Sequence, residues 1–161
     1  MKSIIKILPI ALLVLINQGI KIVIANNMMD KNYNLIGTIV GYDPYLNEQY
    51  SWINSLTNLG ISRLVHMIIV ILMFFVAIII YDFVGMKYTM SAYVYWMLSF
   101  LMAGTFCSFI DKLVWGWSLD FILLKGFFIF DLKDVYLSVF EGMLILLFVL
   151  NKDIKQRTAL K

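Results

Sequence analysis

Histidine and cysteine, which carry much of metal and nucleophile chemistry, occur once each in these 161 residues, as His66 and Cys107. A lone cysteine excludes an intramolecular disulfide, so Cys107 is expected to be a small packing residue. The two residues spell neither an HExxH zinc site nor a Cys-His nucleophile, and His66 is read as a packed or interfacial histidine. No serine sits in a nucleophile-elbow pattern, and the sequence shows no repeat, heptad, glycine-rich phosphate loop or low-complexity tract. Charge is scarce as well, at 14% of residues, against about 25% in soluble domains. The net charge of +3 is explained by the basic flanks described below, so nothing points to nucleic acid.

What the chain has in excess is apolar surface. It is 62% hydrophobic and 16% aromatic, with a mean hydropathy of +0.88, which predicts an integral membrane protein. The length suits one domain, residues 1–161. A helix needs roughly 20 mostly apolar residues to cross a bilayer, and segments 4–24, 64–81, 90–110 and 135–150 meet or approach that. The prediction is an all-α membrane protein with four transmembrane helices. An even number of passes puts both termini on one side. That side carries Lys2, Lys6, Lys87, Lys152, Lys155, Arg157 and Lys161, against Lys31, Arg63, Lys112, Lys125 and Lys133 on the other. The basic excess places the termini in the cytoplasm. The first helix has the flanks of a secretory signal, with Val23-Ile-Ala25 as a passable cleavage site. Asn17, Gln18 and Lys21 make a poor signal-peptide core, so it is read as a retained helix that uses them.

The up-down order of helices brings the costly polar groups to one level. Asn17 and Lys21 lie four residues apart on one face in the outer half of the first helix. Asp111 and Lys112 end the third helix on the same side, and Asp131 and Asp134 precede the fourth, with Ser138 and Glu141 continuing down its face. Ionisable groups in a bilayer usually face the bundle interior and mark a functional layer, here near the outer boundary. Lys125 and Lys133 are read as boundary charges that snorkel to water. With thiol, imidazole and serine chemistry set aside, carboxylates remain. Two aspartates a few ångströms apart cannot both ionise, so one keeps a proton while the other acts as base on water. Asp111, Asp120, Asp131 and Asp134 are all candidates for that pair.

The order of these residues resembles the lipoprotein signal peptidase (signal peptidase II) family. Ala103-Gly-Thr-Phe-Cys-Ser108-Phe-Ile-Asp111-Lys112, followed by Gly116-Trp-Ser-Leu-Asp120-Phe-Ile, is similar to GGAxGNxxDR…GxVVDFI. Phe130-Asp131-Leu-Lys-Asp134 resembles FNxAD, Asn17-Gln-Gly-Ile-Lys21 resembles DxxxK, and Asn47-Glu-Gln-Tyr-Ser-Trp52 sits where the family has NxGAAF. The four blocks stand in order across essentially the whole chain. The resemblance implies an intramembrane aspartic peptidase that needs no cofactor or metal. Such an enzyme cuts signal peptides from bacterial prolipoproteins just before a diacylglyceryl-modified cysteine. It implies Asp120 and Asp134 as the catalytic pair and a substrate site drawn from Asn17, Lys21, Asn47, Ser108, Asp111, Lys112 and Asp131. Asp111, with a base beside it to pair with, is expected to be structural. The resemblance also implies a small β-rich cradle from the outer segment 26–62, between helices one and two, lying on membrane lipids. Within that segment Asp43-Pro44 is a turn signal, and Trp52, Trp115 and Trp117 suit an interfacial aromatic belt. The working unit is expected to be a monomer.

The departures from the pattern are specific. Asn17 replaces an aspartate, Cys107 a glycine, Ser108 an asparagine and Lys112 an arginine. Gln49 and Tyr50 stand for Gly-Ala, and Asp131 and Lys133 replace an asparagine and an alanine. Both catalytic-position carboxylates remain, which fits a divergent peptidase with an altered substrate pocket. Two alternatives stay open: an inactive relative kept as a membrane binding or immunity protein, and a proton-coupled transport component. Topology is the first test. Tags on either terminus are expected to report from the cytoplasm and a reporter near Asp43 from outside; labelling of Asp43 from the cytoplasmic side overturns the arrangement.

Overall fold

The computed structural model describes residues 2–48, 54, 57, 59–87 and 92–159, and the side chains of 7–48, 54, 57, 59–83 and 92–149. Gln49, Tyr50, Trp52 and the expected start of the third helix at residue 90 lie outside the described residues. Four long helices run Lys2–Asn27 (α1), Arg63–Lys87 (α2), Ala92–Ile110 (α3) and Leu132–Ala159 (α4). Among the described residues three helical stretches are long and apolar enough to cross a membrane: Ile7–Asn27, Arg63–Phe83 and Ala92–Trp115. The fourth helix differs in carrying Lys133, Asp134 and Glu141 within three turns of its start, which dilutes its apolar character.

Helix α3 is central and packs against each of the other three. The reason lies in its small side chains: Ser99, Ala103, Gly104, Thr105 and Cys107 are buried and let neighbouring backbones approach closely. Ser99 and Thr105 return their hydroxyls to the carbonyls of Tyr95 and Leu101, both at 2.8 Å, so neither leaves a bare donor among apolar groups. Around this helix Ala77, Val94, Met97, Leu98, Leu101 and Phe140 form one core. By contrast α2 turns Leu64, Leu72, Phe75, Ile79 and Phe83 outward. A helix apolar on every side is one surrounded by apolar material, here protein on one face and lipid on the rest.

Between the helices lies a four-stranded antiparallel sheet in the order Tyr33–Ile36 (β1), Val40–Asn47 (β2), Ser118–Leu124 (β3), Phe128–Phe130 (β4). The strands were expected from segment 26–62 alone; half of them come from 118–130. That stretch hides its strand character because residues on both faces are apolar, and its signal is the Lys125-Gly126 turn, with Gly126 at φ 80°. Asp43-Pro44, read as a turn signal, instead lies inside β2, where the pairing with β3 slips between Tyr42 and Tyr45. Proline donates no ladder hydrogen bond, so the chain bulges there. Beneath the sheet Ile24, Tyr42, Leu119 and Phe121 form a second core that joins it to the C-terminal end of α1.

Helix α3 ends in a π-helical turn, Asp111–Trp115, closed by Gly116 at φ 78° with its N–H on the Asp111 carbonyl at 2.9 Å. Single π turns recur where a side chain must be re-aimed. The α3–α4 contact is close: a Cβ on Gly104 would stand 2.8 Å from Leu137 Cγ and Cδ2 and 3.2 Å from the Lys133 carbonyl. Gly104→Val is expected to lower thermal stability in detergent by about 1–3 kcal/mol through overpacking. Gly142→Ala, with no atom within 4 Å of its added carbon, serves as control and should gain up to about 1 kcal/mol from helix propensity.

Candidate functional site

Four elements deliver charge to one point. Helix α1 contributes Lys21, the π turn Asp111, β3 Ser118 and Asp120, and the start of α4 Asp131, Lys133 and Asp134. The last three are fixed by a capping box, in which side chains at the two ends of a helix's first turn satisfy each other's backbone donors. Asp131 Oδ1 accepts the N–H of Lys133 at 3.1 Å and of Asp134 at 3.3 Å, while Asp134 Oδ2 accepts the N–H of Asp131 at 3.1 Å. Asp134 is thereby held against its own helix start.

Two ammonium groups lie among four carboxylates. Lys21 Nζ is 2.6 Å from Asp111 Oδ2 and also pairs with Asp131 Oδ2. Lys133 Nζ is 2.9 Å from Asp131 Oδ2, 3.2 Å from Asp111 Oδ2, 3.5 Å from Asp120 Oδ1 and 3.9 Å from Asp134 Oδ2. Asp131 Oδ2 makes no aligned hydrogen bond, so charge alone satisfies it. Ser118 links the parts: its hydroxyl accepts from Lys133 Nζ at 2.6 Å and reaches Asp120 Oδ1 at 2.9 Å and Asp111 Oδ2 at 3.3 Å. Asn47, at the end of β2 opposite Ser118, donates to Asp120 Oδ2 at 3.0 Å. Burial pushes the Asp131 carboxyl up, but Lys133 and Lys21 outweigh it and hold it below the ordinary carboxylate range. Asp120, Asp131 and Asp134 present oxygens within 4.8 Å of one another, the geometry a cation would want, and the Lys133 ammonium lies among them.

Of the residues expected from sequence, Lys21, Asn47, Asp111, Asp120, Asp131 and Asp134 meet here. Asn17 is fully buried beside them; its Oδ1 accepts from Gln18 at 3.3 Å and its Nδ2 has no partner among the described residues. Ser108 and Lys112 bond each other at 2.9 Å, one helical turn apart. The expected pairing of Asp111 with its neighbouring base is therefore corrected: Asp111 binds Lys21 and Lys133 across the bundle, because consecutive helical residues point in different directions. Lys133 is corrected too. It does not snorkel but is buried, while Lys125 stays exposed and bonds Asn34. Gln18, read with Asn17 and Lys21 as a polar residue that the first helix uses, donates to Asp111 Oδ1 at 3.3 Å and accepts from Trp115 Nε1 at 2.9 Å. His66 is buried apart from the cluster, its Nδ1 3.2 Å from the Ser62 carbonyl.

One carboxylate opens outward. The Asp134 side chain is 27% exposed, against 1% for Asp111, 4% for Asp120 and 0% for Asp131. It lines a cleft of about 430 Å³ with Leu124, Phe128, Phe130, Val135, Ser138 and Val139. An apolar groove with one acid on its wall suits an apolar chain presented to a polar reaction centre.

Residues 9–150 match the family model described as signal peptidase (SPase) II. No curated protein matches the chain. Two solved structures, each described as a bacterial membrane enzyme determined by the in meso method, share the fold. One has 21% identity and a TM-score of 0.75, covering 93% of this chain and 90% of its own; the other has 21% identity and a TM-score of 0.72, covering 89% and 91%.

The Asp131 pairing generates a stability prediction. A carboxyl held below its ordinary value contributes stability fully present above its unfolded pKa of about 4, and that contribution is lost as pH falls from there through the folded value. Asp131→Asn is expected to destabilise the folded protein at neutral pH by about 3 kcal/mol, because it leaves two buried lysines short of a partner. It should also flatten the loss of stability on acidification below about pH 4. Thermal unfolding in detergent across that range measures both.

Proposed function

The chain belongs to the signal peptidase II family, and from that premise we propose that it is an intramembrane aspartic endopeptidase. It removes signal peptides from bacterial prolipoproteins, before the lipid-modified cysteine. The observation that carries the reading is the pairing of Asp120 and Asp134, which come from different elements yet bring carboxylate oxygens within 4.8 Å beside an apolar cleft. Asp120 accepts from both Asn47 and Ser118, an arrangement suited to the base that takes a proton from water. Asp134, on the cleft wall, donates its proton to the scissile carbonyl oxygen as the water oxygen attacks. When the tetrahedral intermediate collapses, the proton held by Asp120 passes to the leaving nitrogen and one hydroxyl of the intermediate returns its proton to Asp134. Lys21 and Asp111 hold the scaffold, and Asn47 orients Asp120.

The same reading takes α4 as a fourth pass over 135–150, both termini as cytoplasmic, and the sheet as a cradle at the outer membrane face. The exposed apolar side chains of Leu35, Ile36, Ile39 and Phe127 on that sheet support it. A proton relay is less well supported: the face of α2 from Ile68 to Ile80 carries no polar residue, and Glu141 is exposed where a relay needs a continuous inward path.

Asp120→Asn and Asp134→Asn are each expected to lower cleavage of a diacylglyceryl prolipoprotein by about 10²–10⁴ while leaving membrane insertion unchanged. Asp111→Asn should instead reduce folded yield. Near-normal turnover in either of the first two variants rejects the assignment. A wild type that binds the substrate without releasing a signal peptide identifies an inactive relative.

A further inference from the structure

Lys133 and Asp131 stand side by side at the start of α4, where the family pattern has an alanine and an asparagine, so the two departures bring one charge of each sign. They also touch, at 2.9 Å. Lys133 reaches both members of the proposed catalytic pair. It donates to Ser118, which reaches Asp120 Oδ1, and its ammonium lies 3.5 Å from Asp120 Oδ1 and 3.9 Å from Asp134 Oδ2. Asp131 reaches Asp134 through the capping box. We propose that Lys133 and Asp131 are a compensating pair of positioning residues: Lys133 ties Asp120 and Asp134 into one charged unit, and Asp131 balances the cation that does so.

A buried ammonium this close to two carboxylates favours their ionised forms, and a neighbouring carboxylate opposes ionisation. The partners therefore act on the pair with opposite sign and nearly cancel. The other groups facing Lys133 are Lys21 from α1, Cys107 from α3, and Asp111 and Lys112 from the π turn. Of these, Lys21 also pairs with Asp131 and Asp111 with Lys133, so a double variant that removes one charge of each sign is the control for changes in their pairing. Without Lys133, the negative charge of Asp131 would press on Asp134 directly. Without Asp131, Lys133 would be freed toward Asp120 and Asp134 and hold both ionised to lower pH. The departures thus fit a site that carries an extra ion pair while keeping its working pH window.

This rests on the peptidase reading, and its test separates the two. Cleavage is followed across pH for the wild type, Asp131→Asn, Lys133→Met and the double variant Asp131→Asn/Lys133→Ala. In parallel, infrared spectroscopy of the purified proteins titrates the protonated-carboxyl band that Asp120→Asn or Asp134→Asn removes. The expected result is a rate profile and band midpoint displaced to lower pH by about one unit or more in Asp131→Asn. The displacement should be similar but to higher pH in Lys133→Met, with the double variant close to wild type. If Lys133→Met does not fold, Asp131→Asn against the double variant still decides, since the double carries no excess charge. Single variants that leave the midpoint unmoved, or both displace it the same way, overturn the proposal and make Lys133 a purely structural cation. A wild type without cleavage defeats the peptidase reading alone, because the infrared midpoints report the coupling without turnover.

Discussion

Two lysines buried among four aspartates set the terms for everything else in this molecule. Moving one ion from water into an apolar interior costs several kcal/mol even after relaxation, and the cost is recovered only where partners sit within contact distance and remaining valences are met. Lys21 and Lys133 meet that demand by sharing Asp111 and Asp131. The sharing fixes α1, the end of α3 and the start of α4 relative to one another. Displacing any of the three would strand a charge. The close approach at Gly104, where the α4 backbone at Lys133 lies on α3, is a consequence: a side chain there would hold Lys133 away from Asp111.

Within this network the carboxylates are not equivalent. Asp111 and Asp131 are each met by both lysines, so their charges are spoken for. Asp120 is oriented by Asn47 and Ser118, and Asp134 by a backbone N–H. Lys133 stands farther from these two, at 3.5 Å from Asp120 and 3.9 Å from Asp134, than from Asp131 at 2.9 Å. On the proposed reading the scaffold and the chemistry therefore use the same residue type and differ in how closely the lysines hold it. Asp134 serves both, closing the capping box with one oxygen while its side chain faces the cleft. Such double duty makes the geometry of the acid depend on the integrity of the first turn of its helix.

Much of this was legible in the sequence because hydropathy and order along the chain carry it. Apolar runs located the helices, and the outer ends of those helices located Lys21, Asp111, Asp131 and Asp134 in one layer. What escaped notice were features that depend on distant partners. Lys133 has the sequence context of a snorkelling lysine, and the arrival of Asp111 and Asp120 from earlier in the chain, joining Asp131, makes burial tolerable. The 118–130 hairpin was masked by apolar residues on both faces, since alternation appears only when one face meets water. Gln18 reads as a residue the first helix uses, but its partners Asp111 and Trp115, 93 and 97 residues away, could not be read from its own segment. One local signal was available and unread: Asp131-Leu-Lys-Asp134 is a capping box, which places Lys133 in the first turn of a helix beside both acids.

A hydrolase inside a membrane must bring water to its acids while keeping lipid and substrate apolar, and the placement of Asp134 speaks to that need. Three of the four carboxylates are sealed, and the partly exposed one lies on the wall of an apolar cleft. On the proposed reading, a substrate lying in that cleft rests against Asp134, with Asp120 behind it, held in the buried network by Ser118 and Asn47. The division into acid and base then follows from which element carries each aspartate. Helix α4 presents its aspartate to the cleft, β3 holds its own in the buried network, and the ion pairs of Lys133 draw the two together.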